Sequence, residues 1–311
     1  MADYSSYLDY RVNIELLSPV GTPWQSDSLM GHLAWCALRT NGENGLKNFL
    51  QPFLENNPNF ILSDGFPEGY LPRPTIPFTT TSFVESVDET SQKKKARRTT
   101  LLSCDAFESF RYGDYTEPAG HENVFQIVET LHAVLDRRTE ITDGEGNLYS
   151  SEDTVLNSKS RIISIYLRSK PDYLETAVDL LRKLSEVGYG RDKSTGLGQF
   201  RIVGFKPFDN FAHFSEADGF IALSSFVPAT SDPTDGFWQI RIKRGKLGEN
   251  AGNGNPFKKP FVQLMPGALF RTQQQPAPYY GRVLRNLAPG EPRAVQICYC
   301  MAVPCKFPNI F

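Results

Sequence analysis

Residues 172 to 205 pass from a helical pattern, through the loop GYGRDKSTGLGQF, into a β-rich segment, and that order restricts the fold more than any other stretch. Leu174, Ala177, Val178, Leu181, Leu184 and Val187 recur at helical spacing. Asp172 with Glu175 has the form of a capping box, and Gly188 stands where a left-handed C-cap belongs. QFRIVGF, Gln199 to Phe205, then reads as a strand. Four glycines (Gly188, Gly190, Gly196 and Gly198) therefore lie on the way out of a helix and into a strand. Nucleotide-binding loops run the other way, from strand into helix, so that a helix N-terminus faces the phosphate. The motifs fail as well. Lys193-Ser194 follows Asp192 rather than the glycine a Walker loop requires, and Lys193 breaks the dinucleotide pattern G-x-G-x-x-G. A plain helix-to-strand connector needs one or two glycines. Four permit positive φ and close backbone approach, so that successive amides can form an anion-binding nest. Arg191 and Lys193 add charge, and Ser194 and Thr195 add donors for phosphate or ribose oxygens. The loop reads as a contact for an RNA backbone.

The rest of the chain supplies a setting for that loop. Tyr10 to Pro19 is rich in β-formers and ends at a turn, VGTPWQ. SDSLMGHLAWCAL follows as a helix, with Ser26 or Asp27 as N-cap and Leu29, Leu33, Cys36 and Ala37 on one face, Met30 beside them. From Ser63 to about Val124 periodicity fails, and the proline-spaced SDGFPEGYLPRPTIPF reads as extended loop. This stretch, 63–124, is expected to be an insertion. RIISIYLRS, Arg161 to Ser169, returns as a strand. Strand–helix, irregular middle, strand–helix–strand predicts an α+β fold: a ferredoxin-like, RRM-like βαββαβ domain over residues 1–206. After Pro207 the segments GFIALSSFVP, FWQIRIKRG, FVQLMPGALF and AVQICYCMAV are short strand candidates, so 207–311 is expected to be a second, mostly β domain.

A hydrophobic content of 40% is enough for a buried core, and no run approaches the roughly 20 apolar residues of a membrane helix. The N-terminal segment lacks the basic start and apolar run of a secretory signal, and an odd count of five cysteines fits a reducing cytoplasm. Cys298, Cys300 and Cys305 lack the spacing and fourth ligand of a zinc site, and VQICYCMAV alternates like a strand, so buried thiols and no metal are expected. The net charge of −2 hides local clusters: KKKARR (Lys93 to Arg98), RIKRGK (Arg241 to Lys246) and the acidic stretch Thr139 to Asp153.

The glycine pattern G-x-G-x3-S-x-G-x-G, carried by Gly188, Gly190, Ser194, Gly196 and Gly198, resembles the glycine-rich loop of the RAMP superfamily of CRISPR proteins. SDSLMGHLAWCAL, GYLPRPTIPF, LHAVLDRRTEITDGEGNLYSSED, GFWQIRIKRGKLG, NPFKKPFVQLMPGALFR and YYGRV, in that order, resemble one branch of it. That branch is the handle-capping subunit of type III-A, Csm-type, interference complexes, and the likeness runs from about Tyr10 to Val283. Glu140 stands where the branch usually has glycine.

The resemblance implies a cytoplasmic, non-catalytic subunit without cofactor, membrane partner or small-molecule substrate. It would bind the repeat-derived 5′ handle of the guide RNA, seat on a large polymerase-like signalling subunit, and contact the first of the repeating RAMP backbone subunits. The second domain would be a degenerate ferredoxin-like unit. The residues expected to touch RNA are Gly188, Tyr189, Gly190, Arg191, Asp192, Lys193, Ser194, Thr195, Gly196 and Gly198, with Arg137 and Arg138 near the loop. Arg73 is presented between Pro72 and Pro74, and Lys93, Lys94, Lys95, Arg97 and Arg98 face RNA or a partner. Tyr189 and Phe110 are candidates for stacking on bases. The competing reading is a RAMP-family endoribonuclease processing guide precursors. Of His32, His121, His132 and His213, the best candidate for its base is His132, with two residues between it and LDRRT. The processing nucleases carry their glycine loop near the C-terminus, whereas 113 residues follow Gly198. A third reading, a purely structural subunit, turns the basic residues toward protein.

Overall fold

The computed structural model describes residues 4–77, 99–115, 125–133, 148–156, 161–248 and 256–309. β1 (Leu8–Leu16) alternates buried and open positions, which turns Tyr10, Val12, Ile14 and Leu16 to one face. It lies between two antiparallel neighbours, β7 (Ile162–Ser169) and β8 (Phe200–Pro207), and β2 (Phe60–Pro67) pairs with the outer edge of β7. The order β2-β7-β1-β8 therefore separates β1 from β2, and β7 from β8, by one strand each. α1 (Ser26–Leu54) makes the first of these crossovers and a helix over Leu174–Val187 the second. The strand and helix expectations for Tyr10–Pro19, SDSLMGHLAWCAL, RIISIYLRS and the segments around the glycine loop are met.

Three local details differ. SDGFP is not loop but the end of β2, an eight-residue strand that is almost wholly buried. Its register shifts between Leu62 and Gly65, and this bulge breaks the period that a sequence reading relies on. The shift also places Asp64 under the N-terminus of α1. There Asp64 Oδ1 accepts from the Ser26 amide at 2.8 Å, the service expected of Ser26 or Asp27 themselves. At the second crossover, Pro171–Tyr173 form a 3₁₀ turn, and no side chain caps the helix in place of the expected Asp172–Glu175 box.

Asp64 also joins the two halves of the chain. Oδ1 accepts from the Ser225 amide at 2.9 Å and Oδ2 from the Ser225 hydroxyl at 2.6 Å. Burial pushes the Asp64 carboxyl above the usual carboxylate range, against the opposing pull of those hydrogen bonds. A carboxyl raised by folding stabilises most below its unfolded value, about 4, and loses that contribution as pH rises through the raised value. Denaturant titrations between pH 4 and 7 are expected to show this decline, and Asp64→Asn to flatten it. A decline of equal slope in both chains would assign it elsewhere.

β3 (Tyr70–Pro72) and β4 (Leu101–Ser103) form a small ribbon, followed by α2 (Cys104–Arg111), which Ser103 caps by accepting from the Ala106 amide. β5 (Phe125–Ala133) and β6 (Leu148–Leu156) make an antiparallel hairpin in register from Phe125–Leu156 to Ala133–Leu148. The helix of the second crossover is α3 (Leu174–Val187).

Beyond Pro207 the described residues carry strands and no helix. β9 (Gly219–Ala222), β10 (Gly236–Phe237), β13 (Leu269–Arg271), β14 (Tyr279–Leu284) and β15 (Gln296–Cys305) form one sheet in the order β10-β13-β9-β15-β14. β11 (Ile240–Lys243) and β12 (Phe261–Leu264) pair separately. Cys298, Cys300 and Cys305 all lie buried on β15, and burial pushes each thiol upward. One apolar core runs through both halves: Phe49 and Phe53 of α1, the inward residues of β1 and β7, and Tyr299, Met301 and Val303 of β15 share it. The Tyr299 hydroxyl donates to the Phe53 carbonyl at 2.9 Å, fixing α1 to the second sheet.

Candidate nucleic-acid interface

The glycine loop is built from a pinned neck and an open tip. At the neck the Tyr189 amide donates to the Gly198 carbonyl at 2.9 Å, and the Gly198 amide to the Pro19 carbonyl at 2.8 Å. Gly198 has φ +66°, and a Cβ there would lie 1.8 Å from the Tyr189 carbonyl oxygen. Gly188 has φ 86° but ψ 162°, so the helix ends on a positive φ that runs out extended rather than in the expected left-handed cap. At the tip, Asp192 takes φ 55° and Lys193–Thr195 form a 3₁₀ turn that exposes Ser194, Thr195 and Gly196.

Tyr189 is not available to a base. Its ring is fully buried, stacked on Trp24 with centroids 4.2 Å apart. Its hydroxyl donates to the Pro23 carbonyl at 2.6 Å and accepts from the Gln25 amide at 3.2 Å, and burial pushes its pKa upward. An aromatic ring flanked by glycines reads equally well as platform or anchor, and here the apolar Trp24 beside it makes it an anchor. Phe110 is buried too, against Tyr115.

Arg191 is likewise committed. Its Nε donates to the Gly21 carbonyl at 2.6 Å, its Nη2 lies 2.9 Å from Asp153 Oδ1, and its amide donates to Thr22 Oγ1 at 3.0 Å. Asp153 is a buried carboxylate on β6, so Arg191 ties the loop to the root of the β5–β6 hairpin, where Val20 and Thr154 also exchange backbone bonds. The Gly190 amide donates to His32 Nε2 at 3.2 Å, which makes His32 an acceptor with its proton on the other ring nitrogen. Thr195 and Leu197 amides turn inward onto the Asp192 carbonyl, and the Gly196 amide onto that of Lys193. The expected nest thus shrinks to the tip. There Ser194 is exposed, Lys193 is half-exposed, and the Thr195 hydroxyl donates to the Asp192 carbonyl at 2.8 Å.

The first turns of α1 bring a second basic feature to the same place. Lys243 Nζ donates to Asp27 Oδ1 at 2.5 Å, Ser28 Oγ at 2.8 Å and Gln25 Oε1 at 2.9 Å. Asp27 is buried and accepts further from Gln263 and Gln296 at 2.9 and 3.1 Å. Lys258 donates to Gln296 Oε1 at 2.7 Å, and burial lowers its pKa. Further along, Gly248 presses on Trp35, where a Cβ would come within 2.0 Å of the indole nitrogen. Loop and hairpin therefore converge on Gln25–Trp35. There Gly31 is exposed with nothing within 4 Å of a Cβ, and Arg244, Lys246 and Lys259 stand exposed on the hairpin side. In the sequence Arg241 to Lys246 is only a basic cluster. Nothing local pairs it with Asp27, more than 200 residues earlier.

Arg73 is half-buried, its amide donating to the Thr100 carbonyl and its own carbonyl packed on Gly267. Arg137, Arg138, Lys93, Lys94, Lys95, Arg97, Arg98 and His121 lie outside the described residues. His132 lies on β5 opposite Tyr149, and its side chain is also outside them. His213 is exposed and contacts Gln275. Among the described residues no group of His, Cys, Asp and Glu could hold a metal ion, and no helix is long and apolar enough to cross a membrane.

No protein-family model and no curated protein matches the sequence. Solved structures do. A chain of the Csm1–Csm4 cassette in complex with AMPPNP is 18% identical, with a TM-score of 0.60 over 96% of this chain and 99% of that one. A chain of the Csm3–Csm4 subcomplex of the type III-A CRISPR-Cas interference complex is 12% identical, with a TM-score of 0.63 over 97% and 100%. Csm4 is the component common to both assemblies. From end to end, this chain shares its fold with chains of these Csm4-containing type III-A CRISPR-Cas assemblies.

Proposed function

We propose that this chain is the non-catalytic RNA-binding subunit that caps the 5′ handle of the guide RNA in a type III effector complex. It joins the large polymerase-like subunit to the first backbone subunit. The observation that carries this reading is the whole-length likeness to chains from both a Csm1–Csm4 and a Csm3–Csm4 assembly. The strand order β2-β7-β1-β8 with two helical crossovers supports a ferredoxin-like reading of the first half, and the helix-free sheet beyond it a degenerate second unit. The RNA backbone runs over the loop tip and past the exposed Gly31 of α1. Lys193 neutralises phosphate, Ser194 donates to phosphate or ribose, and the exposed hairpin cations extend the charged track. Tyr189, Arg191 and His32 position the loop rather than touch RNA.

This assignment is tested with the reconstituted complex carrying end-labelled guide RNA. Lys193→Ala combined with Ser194→Ala is expected to weaken guide retention about five- to tenfold. The salt slope falls by roughly 0.7 for each phosphate that is no longer neutralised. The RNA recovered from wild type stays uncut with or without divalent metal. Unchanged retention and slope would remove the tip from the interface, and cleavage abolished by His132→Ala would replace the non-catalytic reading with the nuclease one.

A further inference from the structure

α1 holds three glycines, and two of them explain themselves. Gly42 stands at φ +62° in the kink of the helix, and a Cβ on Gly45 would lie 2.5 Å from the Ala37 carbonyl oxygen. Gly31 has neither reason. It lies in regular helix without a positive φ, it is exposed, and a Cβ there would meet nothing within 4 Å. Glycine inside a helix is less stable than alanine, and its use is to let another backbone or a ligand come close. Among the described residues nothing fills that space.

The neighbours of Gly31 frame an opening over it. Three residues before it, Ser28 Oγ accepts from Lys243 Nζ at 2.8 Å, and four residues after it the Trp35 indole packs on Gly248. Positions three and four apart share a helix face, so the hairpin segment touches α1 on both sides of Gly31 along the axis. At the adjoining residue, His32 Nε2 accepts from the Gly190 amide at 3.2 Å, which brings the glycine loop alongside. Between these contacts the helix offers bare main chain, its amides spent on the helix's own hydrogen bonds. A phosphate needs donors or cations, whereas the carbon edge of a sugar needs only room. We infer that Gly31 seats a ribose of the guide RNA directly against α1, an inference that rests on the function proposed above. The adjoining phosphates are left to Lys193 on the loop side and to the exposed Arg244, Lys246 and Lys259 on the hairpin side. Gly31 acts by size alone: a side chain there lifts the RNA off the helix.

The test reads guide retention in the reconstituted complex with end-labelled guide RNA, beside urea unfolding of the full chain alone. Gly31→Ala is expected to leave the unfolding midpoint at or above wild type, being a better helix former in open space. Guide retention nevertheless weakens about fivefold with alanine and at least about fiftyfold with Gly31→Leu. A glycine that served only the fold would not send the two readouts in opposite directions. Alanine decides alone should the leucine variant melt below wild type. Retention by Gly31→Ala equal to wild type, while Lys193→Ala with Ser194→Ala still weakens it, overturns the inference and leaves handle capping standing. A midpoint below wild type for Gly31→Ala overturns it too, as the mark of a packing role. So does loss of binding to the purified backbone or large subunit in the absence of RNA, since the opening then receives protein. A wild-type complex that retains no guide would instead strike the function proposed above.

Discussion

Gly198→Ala is expected to cost about 3 kcal/mol of folding stability and to release the guide RNA with it. The residue sits at φ +66°, which costs an L-residue roughly 1–2 kcal/mol. The added methyl would lie 1.8 Å from the Tyr189 carbonyl oxygen, so the neck must open and give up the Tyr189–Gly198 backbone bond. Overpacking of that kind adds roughly 1–3 kcal/mol. Gly196→Ala is the internal control, since its φ is +98° but nothing lies within 4 Å of the new Cβ. Urea unfolding midpoints of the two variants separate backbone conformation from collision. If Gly198→Ala lost no more than Gly196→Ala, the pinned neck would not be what shapes the loop.

Asp27→Ala is expected to be as damaging for an electrostatic reason. It leaves the Lys243 ammonium, whose side chain is 16% exposed, with only neutral acceptors, and it strips Gln263 and Gln296 of a shared one. Removing one partner from a buried pair costs about 3–5 kcal/mol, whereas replacing both by apolar groups is often close to neutral. The double variant Asp27→Leu with Lys243→Met should therefore unfold nearer to wild type than Asp27→Ala alone. Denaturation of the three chains at one pH measures this, and a double variant no better than the single one would show that the pair is needed for packing rather than charge.

How far the residues announce this arrangement depends on whether the signal is local. The α3 periodicity and the four glycines are local, and the helix–loop–strand order follows from them. The alternation of Tyr10, Val12, Ile14 and Leu16 is local too. Asp64 is not: its stretch reads as turn because a bulge interrupts the strand, and its partners Ser26 and Ser225 are 38 and 161 residues away. The roles of Tyr189 and Arg191 are legible in position but not in direction. Whether a loop arginine points to solvent or to a carboxylate depends on Asp153, which arrives from another hairpin. The alternation of β11 is visible in QIRIK, but which half faces inward is set by Ser225 for Arg241 and by the distant Gln25, Asp27 and Ser28 for Lys243.

The Arg191–Asp153 pair and the Val20–Thr154 exchange clamp the root of the β5–β6 hairpin to the base of the glycine loop. Mechanically this makes the hairpin a lever whose fulcrum is the loop itself. Force applied along β5 or β6, by a strand of nucleic acid or a neighbouring subunit, would be delivered as torque on the loop proposed to hold the guide. Grip at one end and load at the other are then a single coupled variable, and cutting the Asp153 tether would let each move without the other.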